Sequence, residues 1–112
     1  MAAYAVAHIR QVTMGPAIEE YLRRIDATLE PFGGRFIVHG GRVDLLEGSW
    51  IGNLVVIQFP DMAAARGWYY SPAYQALVRL RTDNSDGDVV LVDGVAEGHR
   101  AIDILPGAPA AA

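Results

Sequence analysis

The 112-residue sequence predicts an α+β fold in which an antiparallel sheet carries helices on one face. Three observations predict it. Strand-like and helix-like segments follow one another in the order β-α-β-β-α-β, the segment 53–59 is almost wholly apolar, and Gly or Pro stands at most of the segment boundaries. This order is that of the split β-α-β arrangement, which forms a single compact domain.

The amino-acid composition restricts the classes of protein to which this chain can belong. Hydrophobic residues make up 52% and charged residues 20%, which is typical of a globular domain. The net charge of −4 and the absence of a Lys/Arg run argue against a nucleic-acid partner. The chain has no Cys, which excludes disulfides and thiolate chemistry. Residues 1–11 alternate as a strand does and are too short a segment for a signal peptide or membrane span, so we expect a cytoplasmic protein with no membrane partner.

The first predicted elements are a strand and a long helix. Residues 4–10 alternate between the two faces of a half-buried strand. A helix follows from Pro16, because Pro is favoured in the first helical turn, and apolar side chains recur through 18–32 at helical spacing. Gly33 and Gly34 end this helix, since a left-handed C-terminal position favours Gly.

Two strands are predicted next. They cover residues 35–39 and 53–59, and the second is the more apolar, which favours a central position in the sheet. Gly40 and Gly41 permit a bend or bulge after the first of these strands, and residues 42–46 are a candidate continuation beyond it.

The C-terminal half is predicted to hold two helical pieces and a strand. Asp61 can cap a helix over 62–70, a second helical piece covers 73–81, and the last strand covers 88–93. The completed order is that of a ferredoxin-like domain, with both helices on one face of the sheet.

The other face of this sheet has no predicted covering layer. Apolar side chains from 54–59 and 89–92 face away from the helices, and a second subunit packing sheet to sheet would cover them. We therefore predict a homodimer. The domain is assigned to residues 1–95, and residues 96–112 to a C-terminal arm with a disordered Ala/Pro-rich tail.

Several segments of this sequence together resemble a known bacterial family. They are GGRFIVHGG at 33–41, LEGSW at 46–50, VVIQFP at 55–60, GWYYSPAYQALVRLR at 67–81 and NSDGDVVLVDG at 84–94. Over residues 4–95 the chain resembles the domain of unknown function 1330 family, within the dimeric α/β barrel superfamily. The resemblance implies a homodimer with a pocket between sheet and helices in each subunit. The superfamily includes cofactor-free monooxygenases, lactone isomerases, dehydratases and haem-using enzymes, so no single reaction is implied.

Two residues depart from the pattern of that family. His39 stands where Arg is usual, and Gln58 stands where Glu is usual. We expect the two to lie near one another in the hairpin, where a neutral hydrogen-bonding pair would replace an ion pair. The hypothesis assigns His39 the role of moving protons as a general base, helped by Gln58. His8 is the other candidate for a base.

Arg81 is the one charged residue that helical spacing places on an apolar stripe. It lies seven positions after Tyr74, on the same side of a helix. Because an unpaired buried charge is costly, Arg81 needs a partner. One interpretation is a salt bridge that closes the helix end onto the sheet or onto the partner subunit, with Glu47 or an Asp as acceptor. The other is an anchor for an anionic ligand through the planar guanidinium group.

Aromatic residues provide the remaining candidates for a binding site. They are core residues on one interpretation, and they shape a pocket beside the small residues 63–65 on the other. Trp50 lies in a loop, where it covers the pocket mouth or packs on the partner subunit. The candidates for substrate binding are His8, Trp50, Trp68, Tyr69, Tyr74 and Arg81.

The sequence leaves two functions open and does not decide whether the protein is an enzyme. The first is binding of a small apolar or aromatic metabolite, extending to a cofactor-free isomerase, cyclase, dehydratase or monooxygenase. The second is a non-catalytic dimeric structural or interaction domain with a fully packed core. An enzyme predicts a cavity above about 300 Å³, and the packed domain predicts none. No cofactor is predicted, and no metal, because the three His lack metal-ligand spacing.

Overall fold

The fold was derived from a computed structural model that describes residues 1–107. Its main elements are β1 (Ala3–Val12), α1 (Pro16–Leu29), β2 (Arg35–His39), β3 (Asn53–Phe59), α2 (Met62–Tyr69), α3 (Pro72–Gln75), α4 (Val78–Thr82) and β4 (Ser85–Asp93). Single 3₁₀ turns cover Glu30–Phe32 and Ala101–Ile104. The predicted tail extends to residues 108–112, which lie outside the described residues.

The four strands form one antiparallel sheet in the order β2-β3-β1-β4. The helices lie on one face of it, and the predicted α+β ferredoxin-like fold is confirmed. β3, predicted to be central from its apolar sequence, pairs with β2 on one side and β1 on the other. In the part of the chain that the structure describes, no helix combines the length and the apolar character needed to cross a bilayer.

The core lies between the sheet and the helices. Alternate residues of β1 and β3 face the helices, because successive side chains of a strand point to opposite faces. The buried hydrophobic cluster consists of Ala3, Ala5, Tyr21, Ile25, Leu29, Ile57, Phe59, Ala65, Trp68, Tyr74 and Leu77. Full burial of one large apolar side chain contributes about 1.5–3 kcal/mol, so this layer fixes where the helices lie on the sheet.

Gly33 and Asp61 act as the boundary signals predicted, and Ser71 caps the helical piece that follows. Gly33 has a left-handed backbone (φ 68°) and follows α1 and its 3₁₀ turn. The Asp61 carboxylate accepts a hydrogen bond from the Ala64 amide at 2.8 Å and caps α2. The Ser71 hydroxyl accepts one from the Tyr74 amide at 3.2 Å and caps α3. These caps position the aromatic residues of α2 and α3 over the sheet.

Three predicted elements differ from the structure. The helix expected over 73–81 is divided into α3 and α4, because the Leu77 amide bonds Tyr74 O at 2.8 Å and the Leu80 amide bonds Leu77 O at 2.9 Å. Such i to i−3 bonds tighten the backbone and interrupt the α-helical ladder. Residues 42–46 do not continue β2, which ends at His39. β4 also begins three residues earlier than predicted, at Ser85 rather than at position 88.

Candidate functional site

A cavity of about 220 Å³ lies between the helix-covered face of the sheet and the helices. Small side chains create it: Ala5 and Ala7 face the helices from the central strand β1, where larger residues would fill the space. The cavity is smaller than the about 300 Å³ expected of an enzyme pocket. It exceeds the about 150 Å³ that accommodates benzene in an engineered protein interior.

The lining of this cavity is mostly apolar. From the sheet it includes Ala5, Ala7, Ile9, Phe36, His39, Asn53, Val55, Ile57 and Val89, and from the helices Ile18, Tyr21, Leu22, Ile25, Trp68, Tyr74 and Arg81. The side chains with polar groups on the helical wall come from four different helices, α1 to α4. A ligand held here would therefore meet an apolar sheet wall and a helical wall with a few polar groups.

Tyr21 and Tyr74 form the central polar pair of the helical wall. Their hydroxyl oxygens lie 2.7 Å apart, and the residues are only 8% and 2% exposed. The rings meet edge to face, with centroids 6.1 Å apart. Burial, together with the neighbouring Tyr74 hydroxyl, raises the pKa of Tyr21 well above its usual range. Tyr21 is thus a neutral hydroxyl at physiological pH.

Arg81 lies beside this pair. Its guanidinium carbon is 6.0 Å from the centroid of the Tyr21 ring, within cation–π range. Among residues 1–107 no carboxylate lies within ion-pair distance of Arg81, so the expected salt bridge to Glu47 or an Asp is not found there. Arg79, on the same helix, is exposed and pairs with Asp83 at 3.5 Å.

Trp68 and Tyr69 differ in their relation to the cavity. Trp68 lines it and is 2% exposed, and its indole Nε1 donates to Thr28 Oγ1 at 2.9 Å. The Trp68 and Tyr74 rings are 4.1 Å apart. Tyr69 contacts both aromatic neighbours but does not line the cavity. The Tyr69 ring therefore packs against Trp68 and Tyr74 without reaching the cavity.

His39 lines the exposed end of the cavity. A bulge at Ile37 absorbs one residue of β2, so that Phe36 pairs with Ile57 and His39 with Val55. Both side chains consequently face the helices, and their rings stack with centroids 4.4 Å apart. The chain bends at Gly40 (φ 73°) directly after β2, as predicted, and the bulge at Ile37 lies within the strand in addition.

The expected proximity of His39 and Gln58 is wrong. Gln58 pairs with Tyr4 on β1 and with Arg35 on β2, three positions along β3 from the partner of His39. An odd number of positions along a strand reverses the face. Gln58 therefore faces away from the helices and does not line the cavity.

His8 and Trp50 also lie on the face of the sheet without helices. Their rings stack with centroids 4.3 Å apart. His8 Nε2 donates to the Ile51 carbonyl at 2.7 Å, and Trp50 Nε1 donates to the Gly52 carbonyl at 2.9 Å. Neither ring lines the cavity, and the sheet separates His8 from His39. In residues 1–107 no group of three potential metal ligands comes together.

Sequence reasoning missed two contributions to the site. Tyr21 falls within the apolar stripe predicted for 18–32 but is not among the predicted site residues. A buried Tyr hydroxyl needs a hydrogen-bond partner, and this requirement could have indicated its place in the site. The alternation Ala3, Ala5, Ala7 was the signal for the cavity, because it removes volume from the middle of the sheet.

Comparisons with known proteins agree with this architecture. The family described as domain of unknown function DUF1330 matches residues 2–95. No curated protein matches the chain. A protein of unknown function from Rhodopseudomonas palustris is 17% identical, with a TM-score of 0.64, and the match covers 85% of this chain and 83% of that one.

Two further solved structures share the fold. A dimeric ferredoxin-like protein of unknown function from Jannaschia sp. is 14% identical, with a TM-score of 0.65, over 84% of this chain and 100% of that one. SnoaB, a cofactor-independent oxygenase from Streptomyces nogalater, is 17% identical, with a TM-score of 0.55, over 85% and 93% of the two chains. At these identities the likeness shows the fold alone.

Proposed function

We propose that this chain, which belongs to the DUF1330 family, binds a small apolar or aromatic metabolite in the cavity between sheet and helices. The observation that carries the proposal is an apolar cavity of about 220 Å³ whose helical wall holds Tyr21, Tyr74 and Arg81. A fully packed domain would fill this volume with side chains, since protein interiors are close-packed. Apolar pockets with a few placed polar groups are typical of small-molecule sites.

A chemical step without a cofactor is the extension of this proposal. His39 lines the cavity and is also exposed to solvent, so its imidazole can exchange protons with a bound ligand and with water. The cofactor-independent oxygenase SnoaB has the same fold, which makes chemistry of that kind compatible with the scaffold. We assign His39, and not Gln58, the proton-transferring role in such a step.

The binding proposal is tested by filling the cavity. A thermal-shift screen of the wild type over aromatic acids, phenols and lactones should find a stabilising compound. Ala7→Leu should abolish that response, because the added side chain occupies the cavity from the sheet side. Ala63→Leu makes the same change at an exposed position of α2 and should keep it. Circular dichroism establishes that both variants fold.

Two results would overturn the binding proposal. One is a screen without any stabilising compound. The other is an equal response of the wild type and a folded Ala7→Leu variant, since the ligand would then lie elsewhere.

We also propose that a second copy of the chain covers the face of the sheet without helices. Val90 and Val92 are 55% and 46% exposed there, and Ile37 is 44% exposed. The solved ferredoxin-like protein from Jannaschia is itself described as dimeric. Exposed apolar side chains on a sheet face without helices are typical of a surface that packs against another sheet.

Light scattering on a sizing column tests the dimer. The wild type should have the mass of two chains at micromolar concentration, and Val90→Asp should have the mass of one, because a carboxylate would be buried without a partner. Tyr70→Asp places the same charge on an exposed residue of the helix side and should remain dimeric. A monomeric wild type contradicts the proposal.

A further inference from the structure

We infer that the cavity selects small apolar acids, and that Tyr21, Tyr74 and Arg81 together bind the ligand carboxylate. This inference rests on the proposed function, because it specifies the ligand of the same cavity. It adds Tyr21 to the binding residues and assigns the three side chains one common target.

The hydrogen count of the two tyrosines is the first argument. Each hydroxyl carries one hydrogen and can also accept. The bond between Tyr21 and Tyr74, at 2.7 Å, uses one of the two hydrogens. Arg81 lies beside both hydroxyls, but a guanidinium can only donate to their oxygens, so it takes up neither hydroxyl hydrogen. One hydroxyl hydrogen thus remains to be donated, and a ligand oxygen in the cavity can accept it.

The charge of Arg81 is the second argument. Arg81 is partly buried, lines the apolar cavity and has no carboxylate within ion-pair distance among the described residues. A charge in such surroundings is costly without a counter-charge. The adjacent Tyr21 cannot supply one, because burial and the Tyr74 hydroxyl keep it protonated by raising its pKa. A ligand carboxylate supplies it and matches the guanidinium geometry.

The apolar lining defines the rest of the ligand. Most of the sheet wall is formed by short or aliphatic side chains, among them Ala5, Ala7, Ile9, Val55, Ile57 and Val89, and the exposed His39 and Asn53 complete it. The aliphatic part offers no side-chain hydrogen bonds, so polar groups of a ligand that face it would lose water without compensation. A compact ring or branched chain with one carboxylate satisfies both walls.

The test compares three probes that share one ring and differ in charge: benzoate, benzamide and benzylamine. Isothermal titration calorimetry at pH 7 should show benzoate binding to the wild type about tenfold to a hundredfold more tightly than benzamide, as expected for hydrogen bonds to a charged group. Benzylamine should bind more weakly than benzamide, because its ammonium group repels Arg81.

Variants then assign the effect to residues. Arg81→Gln should remove the preference for benzoate over benzamide while benzamide affinity changes little. Tyr21→Phe should weaken benzoate more than benzamide. Arg79→Gln removes an exposed guanidinium from the same helix and should leave all three affinities unchanged. Should Arg81→Gln fail to fold, the three probes on the wild type still decide the question.

The outcomes separate this inference from the proposed function. Benzamide or benzylamine binding as tightly as benzoate overturns the inference and leaves a small-molecule cavity in place. Benzoate binding equally well to folded Arg81→Gln also overturns it. Absence of binding by all three probes, and by every compound of the broader screen, overturns both.

Discussion

The hydroxyl groups of Tyr21 and Tyr74 form a hydrogen bond with each other, at an oxygen separation of 2.7 Å, inside the helical layer. The bond connects α1 to α3, which are separated in the chain by the whole β2–β3 hairpin and α2. Two buried polar groups from distant segments are therefore compatible with an apolar core only when both are present. Their energetic coupling can be measured.

The first prediction concerns this pair. Tyr21→Phe should lower the free energy of unfolding by about 1–3 kcal/mol, because the Tyr74 hydroxyl then stays buried without its partner. Tyr21→Phe combined with Tyr74→Phe should cost less than the sum of the single changes, since no orphaned hydroxyl remains. Urea denaturation of the four proteins gives the coupling, and strictly additive losses would contradict it.

The second prediction concerns Gly52. Its backbone is left-handed (φ 90°), and a Cβ there would overlap the Ile9 carbonyl oxygen. Gly48 has a similar φ of 78°, but a Cβ would meet nothing within 4 Å. Gly48→Ala should therefore cost about 1 kcal/mol from the backbone alone, whereas Gly52→Ala should cost clearly more. Thermal unfolding compares the two, and equal losses would show that the start of β3 moves freely.

The third prediction concerns acid sensitivity. Arg10 donates hydrogen bonds to Asp86 at 3.0 Å and Asp88 at 2.6 Å, and these bonds lower the pKa of both carboxyl groups. A lowered pKa in the folded state stabilises the protein above the unfolded value of 3.8, and this contribution is lost as pH falls through the folded value.

Arg10→Gln should therefore be less stable than the wild type at pH 6, and the difference should shrink as the pH falls below 3.8 and through the lowered pKa of the two carboxyl groups. Arg66→Gln removes the same charge from α2 and serves as the control. Urea unfolding at several pH values measures the difference. A deficit of Arg10→Gln that is the same at pH 6 and at pH 2.5 would assign the effect to packing.

The fourth prediction concerns Thr28. Its hydroxyl donates to the Ile25 carbonyl at 2.6 Å and accepts from Trp68 Nε1 at 2.9 Å. Thr28→Val keeps the shape but leaves the buried indole N–H without an acceptor, and should cost about 1–3 kcal/mol. Thr28→Ser restores the hydroxyl and should recover part of this stability. Urea unfolding followed by Trp fluorescence measures both, and an undiminished stability of Thr28→Val beside a loss in Thr28→Ser would assign the contribution to the methyl group instead.

The sequence predicts the fold well because local signals are repeated along it. The periodicity of 18–32, the Gly33 terminus and the Asp61 cap each indicate a boundary independently, and errors of a few residues at β4 do not change the order of elements. Helical spacing from Tyr74 also placed Arg81 on the apolar side, where it lines the cavity. Helical spacing is set by the local sequence and does not depend on contacts with other elements of the fold.

The parts of the site that depend on strand register are harder to predict from the sequence. Strict alternation from Phe36 puts His39 on the opposite face, and only the bulge at Ile37 returns it to the cavity. Nothing in the local sequence identifies Ile37 as the absorbed residue. The course of the loop before β3, which brings Trp50 onto His8, likewise depends on contacts across the sheet rather than on local preference.

Strand β1 has one further consequence. Ala5 and Ala7 form the floor of the cavity, while Val6 and His8, between and beside them, face the surface proposed for a second copy. The backbone of β1 thus separates the cavity from the surface proposed for the second copy. Where ligand binding shifts β1 and changes the association of two copies by some factor, association must change the ligand affinity by the same factor, because the two equilibria form a closed thermodynamic cycle. Ligand affinity measured across protein concentration then reports on subunit association without any probe at the interface.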